Sequence, residues 1–202
     1  MRSATDRRPP ARGDERRGAL LRSLDEHLHD SSLESIKIAD IARSAGVTRS
    51  AFYFYFENKA AAVAALMEQM YDESIAATGH LAGDGTPADN IEATIRGLFA
   101  AWDRHQRLFC AMLEARATNT AVRELWESDR ESFVPAVASM IEAERAAGRA
   151  PDGPAAEALA ATLLELNDRM LERLARGGAL PRDELVGVVV HIWLSSIYGS
   201  TS

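Results

Sequence analysis

Apolar residues recur along this chain at spacings of three and four, the pattern of helices with one buried face. From Asp14 a first stripe runs through Leu20, Leu21, Leu24 and Leu28, with acids at its start, and breaks at Ser31 and Ser32. Ile38, Ile41, Ala42 and Ala45 mark a short second helix, closed by Gly46 in the left-handed position that follows many helix ends. Thr48 then offers an N-cap for a third short helix, and Asn58 caps a fourth that runs through Leu66 and Met70. Further stripes predict helices at about 89–103, 106–116, 120–147, 155–175 and 183–198. Pro135 falls inside the 120–147 pattern, where it should kink or interrupt the helix. The run Phe52-Tyr53-Phe54-Tyr55-Phe56 has strand propensity, yet it follows a helix stop and a cap and has no partner strand nearby, so it is assigned to helix. The expectation is an all-α chain of about nine helices.

Turn-forming residues divide the chain into three parts. Residues 1–13 place Pro9, Pro10 and Gly13 among arginines with no periodicity, and read as a tail without regular structure. Gly79, Gly83, Gly85 and Pro87 make the clearest break, giving a head over 14–78 and a body over 79–202.

Composition narrows the function classes. Hydrophobic residues are 47% of the 202, enough for a sizeable core, while the apolar runs fall short of a membrane span. The arginine-rich N-terminus lacks the apolar segment of a secretory signal, and the single Cys110 fits a reducing cytosol, so a soluble cytoplasmic protein is expected. The net charge of −7 is uneven: residues 1–60 hold 11 Lys and Arg against 9 Asp and Glu, leaving 12 against 21 in the remainder. A weakly basic head on an acidic body suits phosphate contact at one end. His27 and His29 are two apart within a helix, so their rings diverge, and no HExxH, CxxC, phosphate loop or GxSxG occurs. No metal, cofactor or catalytic set is expected.

The informative segment is Ile38 to Tyr53, two short helices meeting at a glycine turn as in a helix-turn-helix. Ala42 lets the second helix cross the first closely, and Val47 plugs the corner. Rotation at about 100° per residue sends Val47, Ala51, Phe54 and Tyr55 inward and Arg49, Ser50 and Tyr53 outward. Thr48 and those three would meet a major groove: Arg49 as a bidentate partner of guanine, Thr48 and Ser50 toward bases or phosphates, Tyr53 toward a phosphate. Lys59, at the start of the fourth helix, joins free N–H groups as a phosphate site.

These residues resemble the DNA-binding head of TetR-family regulators, chiefly in Ile41-Ala42, Ala45-Gly46-Val47-Thr48, the Phe52 to Phe56 run and Asn58-Lys59. The resemblance implies a homodimeric regulator, a repressor by its usual role, on a palindromic double-stranded operator. It puts Thr48, Arg49, Ser50 and Tyr53 on the recognition helix and Tyr55 and Lys59 near the DNA backbone, although rotation turns Tyr55 inward. Lys37 stands where the family often has a capping Ser or Thr, and joins the DNA-facing candidates; the missing cap weakens that helix start by about 1 kcal/mol.

The body resembles one mycobacterial subgroup of the same family, in Arg123-Glu124-Leu125-Trp126, Glu142-Ala143-Glu144-Arg145 and the ending His191 to Gly199. That likeness implies an elongated apolar tunnel lined at Leu98, Trp102, Trp126 and Asn167. Phe109, Met112, Leu113, Phe133, Met170 and Trp193 are the other large residues of the region, and complete a candidate pocket for a hydrophobic small molecule. Ordinary helix core is the alternative for each. Asn167 sits among Leu163, Leu164, Leu166, Met170 and Leu171, where a buried amide needs a partner from a ligand or a neighbouring helix. Apolar stripes on the last two helices (Leu159, Leu163, Leu166 and Met170, then Leu185, Val188, Val189, Ile192 and Ile197) point to a four-helix dimer interface, or else to packing within one chain. A helical carrier of hydrophobic ligands, without specific DNA binding, is the competing function.

Overall fold

The computed structural model describes residues 12–78 and 85–199, with side chains over 15–68 and 85–199. Ten α-helices and no strand occur among the described residues: α1 (Arg12–Asp30), α2 (Ile38–Ser44), α3 (Arg49–Tyr55), α4 (Lys59–Thr78), α5 (Pro87–Arg104), α6 (Gln106–Thr118), α7 (Thr120–Glu131), α8 (Val134–Ala146), α9 (Ala156–Ala175) and α10 (Arg182–Tyr198). The tenth arises because the 120–147 pattern is two helices. Pro135 lies in the first turn of α8, where a residue without an N–H leaves no intrahelical bond unmade, so the proline opens a helix instead of bending one. Of the stretch 1–13 expected as a tail, Arg12 and Gly13 belong to the first turn of α1, and residues 1–11 lie outside the described residues, as does the Gly79–Gly83 break.

Leu20, Leu24, Ile41, Phe52, Val63 and Met67 are fully buried in the head, and Ile91, Ile95, Phe99, Met112, Ile141 and Ile197 in the body. They belong to one continuous core. The two are joined chiefly by α4, which packs on α1 and also on α5 and α6, and α1 itself packs on α6. In the body α9 lies against α8, while α10 lies against α5 and α9.

Three polar fastenings hold this arrangement. The buried Ser23 hydroxyl donates to the Ile41 carbonyl at 3.0 Å, pinning α1 to α2. The Lys59 ammonium binds the segment between α1 and α2, as described below. In the body the buried Glu144 carboxylate receives the Arg149 guanidinium at 2.6–3.2 Å and the Tyr198 hydroxyl at 3.2 Å, which ties the end of α8 to the end of α10.

Candidate nucleic-acid interface and ligand cavity

The corner between α2 and α3 is built by backbone hydrogen bonds. Gly46 has φ +68°, its N–H bonds to Arg43 O at 3.1 Å, and the Val47 N–H reaches back to Ala42 O at 2.9 Å. This is a Schellman stop, which needs a left-handed residue and so favours glycine. Thr48 opens α3, its hydroxyl accepting the Ala51 N–H at 3.2 Å. At the other corner the Asn58 side chain accepts the Ala61 N–H at 2.9 Å. Lys37, as expected, caps α2 with no side-chain bond, and it is exposed.

The faces of α3 differ from the expected rotation at one large residue. With Arg49 at zero and about 100° per residue, Tyr53, Ser50 and Phe54 fall within an arc of about 140°. All four are exposed, Tyr53 at 46% and Phe54 at 81%. Ala51, Phe52 and Tyr55 occupy the other side; Phe52 is fully buried, and Tyr55 is half-buried against the core. Phe54, expected inward, therefore points out. The expectation extended the phase from Val47, but the Val47 N–H closes α2, so its position carries no phase for α3. The phase is set by Phe52, whose ring contacts Phe56 with centroids 5.6 Å apart; two residues on, Phe54 is about 200° around.

On the outer arc Arg49 is already oriented. Its guanidinium donates to the Tyr53 hydroxyl at 3.2 Å and lies 5.6 Å from the centre of that ring. Ser50 is exposed beside it. Lys59 is a different matter. Its ammonium donates to the carbonyls of Leu33 at 2.5 Å, Glu34 at 3.0 Å and Ile36 at 2.7 Å, so all three of its hydrogens are engaged. This geometry makes Lys59 a staple for the segment before α2 and leaves no donor for the phosphate contact expected of it.

In the body Trp102, Phe109 and Trp126 close on one another, with ring centroids 4.3, 5.6 and 5.8 Å apart. A cavity of about 170 Å³ adjoins them, lined by Phe99, Trp102, Phe109, Leu171 and Leu174, with Asp103, Gln106 and Arg182 at its polar side. It takes up Trp102 and Phe109 from the expected pocket. Met112 borders a separate recess of about 240 Å³ with Met67 and Leu125. Leu113, Trp126 and Trp193 are buried in the core, while Leu98, Phe133 and Met170 are half-buried. Asn167 finds its partner on a neighbouring helix: the Trp193 indole N–H donates to its side-chain oxygen at 3.0 Å.

Two buried indole N–H groups, those of Trp102 and Trp126, have no hydrogen-bond partner among the described residues. Each such group costs about 1–3 kcal/mol. Trp126 comes near Asp168 and favours its ionised form, without reaching hydrogen-bonding geometry. Burial nevertheless wins and pushes the Asp168 carboxyl up to about 6, against the pull of Arg130 at 3.7 Å. Arg116 covers the Trp126 ring at 5.4 Å and bonds Glu172 at 3.3 Å. Cys110 is half-buried, its thiol pushed up by burial and within 3.5 Å of the Ala175 carbonyl, the setting of an inert thiol rather than a reactive one.

The stripes of the last two helices divide. Leu163, Leu185, Val189 and Ile197 are buried within the chain; Leu159, Leu166, Met170 and Ile192 are half-buried, and Val188 is 48% exposed. Among functional candidates, Phe54, Arg116 and Asp168 were not singled out from the sequence. Asp168 and Glu172 do stand four apart on α9, a visible spacing, and Glu172 pairs with Arg169 and Arg176 of the same helix, but the partners from other helices, Arg116 for Glu172 and Arg130 for Asp168, lie on α6 and α7.

A chain with ten helices among its described residues, whose short α2 and α3 meet at a glycine turn beneath a helical body, has the layout of a helix-turn-helix regulator. Residues 27–66 match the family of bacterial regulatory proteins named for tetR, and residues 91–199 match the C-terminal domain of the transcriptional regulator EthR. The chain belongs to the TetR family of transcriptional regulators, in the group with the EthR type of body, and is not an enzyme. It is 34% identical over 192 residues to the HTH-type transcriptional regulator EthR of Mycobacterium tuberculosis, covering 93% of this chain and 89% of that one. With EthR of Mycolicibacterium smegmatis it is 33% identical over 194 residues, covering 93% and 88%. Among solved structures, NalD, the secondary repressor of the MexAB-OprM multidrug efflux pump in Pseudomonas aeruginosa, superposes with a TM-score of 0.72 over 94% of this chain and 100% of that one; at 17% identity the likeness is one of fold. No helix among the described residues is long and apolar enough to cross a membrane.

Proposed function

We propose that the protein is a homodimeric repressor that binds a palindromic operator through α3 and is released by a hydrophobic small molecule entering its body. The observation that carries the reading is the outer arc of α3. Arg49, Ser50 and Tyr53 stand exposed together, on a helix whose other face is locked into the head by Phe52. Arg49 reads a base edge, Tyr53 orients it and reaches a phosphate, and Ser50 and Lys37 add polar contacts. Thr48 keeps its hydroxyl hydrogen for a phosphate while its oxygen caps the helix. Tyr55 supports the arc from the inner side.

Pairing through the half-buried and exposed apolar residues of α9 and α10 would set the two heads at a spacing matched to successive turns of the duplex. The ligand reading is supported by the aromatic cluster. A molecule that parts Trp102, Phe109 and Trp126 gains apolar contact, and an acceptor on it would satisfy an indole N–H that has no partner. Leu98, Met112, Leu113, Phe133, Met170 and the Asn167–Trp193 pair surround that opening as the enlarged pocket. Helix α6 supports a route back to the head, since it carries Phe109 at the cavity and Glu114, whose carboxylate accepts the Glu34 N–H at 3.3 Å. Release needs only a few kcal/mol of differential affinity between the two forms.

The test is a gel-shift of the purified protein against the DNA just upstream of its own gene, at two salt concentrations. A specific complex that weakens with salt is expected, and Arg49→Ala should weaken it by about 10- to 100-fold. A folded dimer that forms no specific complex, or one indifferent to both Arg49→Ala and Tyr53→Ala, would refute the DNA reading.

A further inference from the structure

We infer that Phe54 reads the methyl group of a thymine in the major groove, making it a specificity residue alongside Arg49. The inference rests on the DNA-binding reading given above. Phe54 is 81% exposed, the most exposed of the large hydrophobic side chains among the described residues. A whole aromatic ring left in water on a seven-residue helix has no use in the fold, because the helix is already anchored by Phe52. Its place is the edge of the arc that holds Arg49, Ser50 and Tyr53, about 40° from Ser50, so a surface that meets Ser50 has Phe54 beside it.

The ring is also held in position. Tyr55, half-buried against the core, meets it edge-to-face with centroids 5.0 Å apart. A fixed ring loses little freedom on contact. In a major groove thymine presents the bulkiest apolar group, its C5-methyl, and an aromatic ring is a fitting partner for it. Phosphates and the polar edges of guanine and adenine offer the ring little to bury against, and cytosine offers only a hydrogen in place of the methyl. Ser50 lies one turn before Phe54 on the same side of the helix, about 6 Å along the axis. The thymine is therefore within about two base pairs of the step that faces Ser50.

The experiment begins by selecting duplexes from a random pool with the wild-type protein. Each thymine of the selected site is then replaced singly by uracil, which removes the methyl and changes no hydrogen-bonding group. Affinities of wild type and Phe54→Ala are measured by fluorescence anisotropy at one fixed salt concentration. Wild type should lose about fourfold at one thymine in each half-site, the worth of one apolar carbon returned to water. Phe54→Ala should bind the thymine duplex more weakly than wild type and make no distinction between thymine and uracil there. Circular dichroism checks that the variant is folded, which its exposure favours. If Phe54→Ala keeps the wild-type ratio between thymine and uracil at every position, the inference is overturned while the DNA reading stands. If no duplex is selected by the wild type, the DNA reading fails and the inference falls with it.

Discussion

Lys59 separates two explanations of a basic residue at the start of a helix beside DNA. Removing the ammonium in Lys59→Met keeps most of the apolar stem and takes away three hydrogen bonds, to the carbonyls of residues 33, 34 and 36. A hydrogen bond to a charged group contributes about 1.5–3 kcal/mol. The three share one ammonium, and the Glu34 carbonyl lies where water can replace the lost donor, so their sum is smaller than three separate bonds. A total of about 3 kcal/mol is expected, which lowers the Tm of a chain this size by about 6–12 °C. Lys59→Arg should recover less than half, because a planar guanidinium cannot converge on three carbonyls around one point. The assays are thermal denaturation and the salt dependence of operator binding. A staple predicts a large fall in Tm and an unchanged dependence of log K on log salt. A phosphate contact predicts the reverse: an unchanged Tm and a slope smaller by about 1. That second result would refute the reasoning.

Further outcomes follow from the body. The Asp168 carboxyl is raised from 3.8 to about 6, so between those values the folded chain keeps a proton that the unfolded chain has lost, and stability falls as pH rises from about 4 to about 6. The effect is on the order of 3 kcal/mol, and Asp168→Asn should raise Tm at pH 7.5 with little change at pH 4; lower stability at pH 7.5 would show that the Arg130 pair outweighs burial. Asn167→Leu strands the Trp193 N–H without its acceptor and should cost about 1–3 kcal/mol in urea denaturation, whereas an unchanged midpoint would mean that water or another group replaces it. Val188→Asp changes a side chain that is 48% exposed, and should leave the fold intact while shifting the particle mass in light scattering from dimer to monomer. A dimer that persists would move the interface away from this face of α10.

The head was legible in the sequence to the level of single caps. Gly46, Thr48 and Asn58 act as their residue types require, because a helix start or stop depends on a few adjacent backbone groups and side chains that reach them. The 120–147 segment was legible only in part: Pro135 marked the place of a disturbance, but whether it would kink one helix or open a second depended on how the chain turned before it. The family followed from a run of residues that local constraints already held in order. The rest was decided by contacts between residues distant along the chain. Lys59 looks like a phosphate site until the carbonyls of 33–36 are brought to it, 23 to 26 residues away. Phe54 looks buried until Phe52 is seen to claim the core and turn it outward. Asn167 could turn to a ligand or to a neighbour until Trp193 arrives on α10, and Asp168 looks like an ordinary surface acid until α7 covers it. Periodicity tells which side of a helix is apolar, but the orientation of each helix and the partner of each polar group are set by packing among all of them, and that is a property of the folded chain alone.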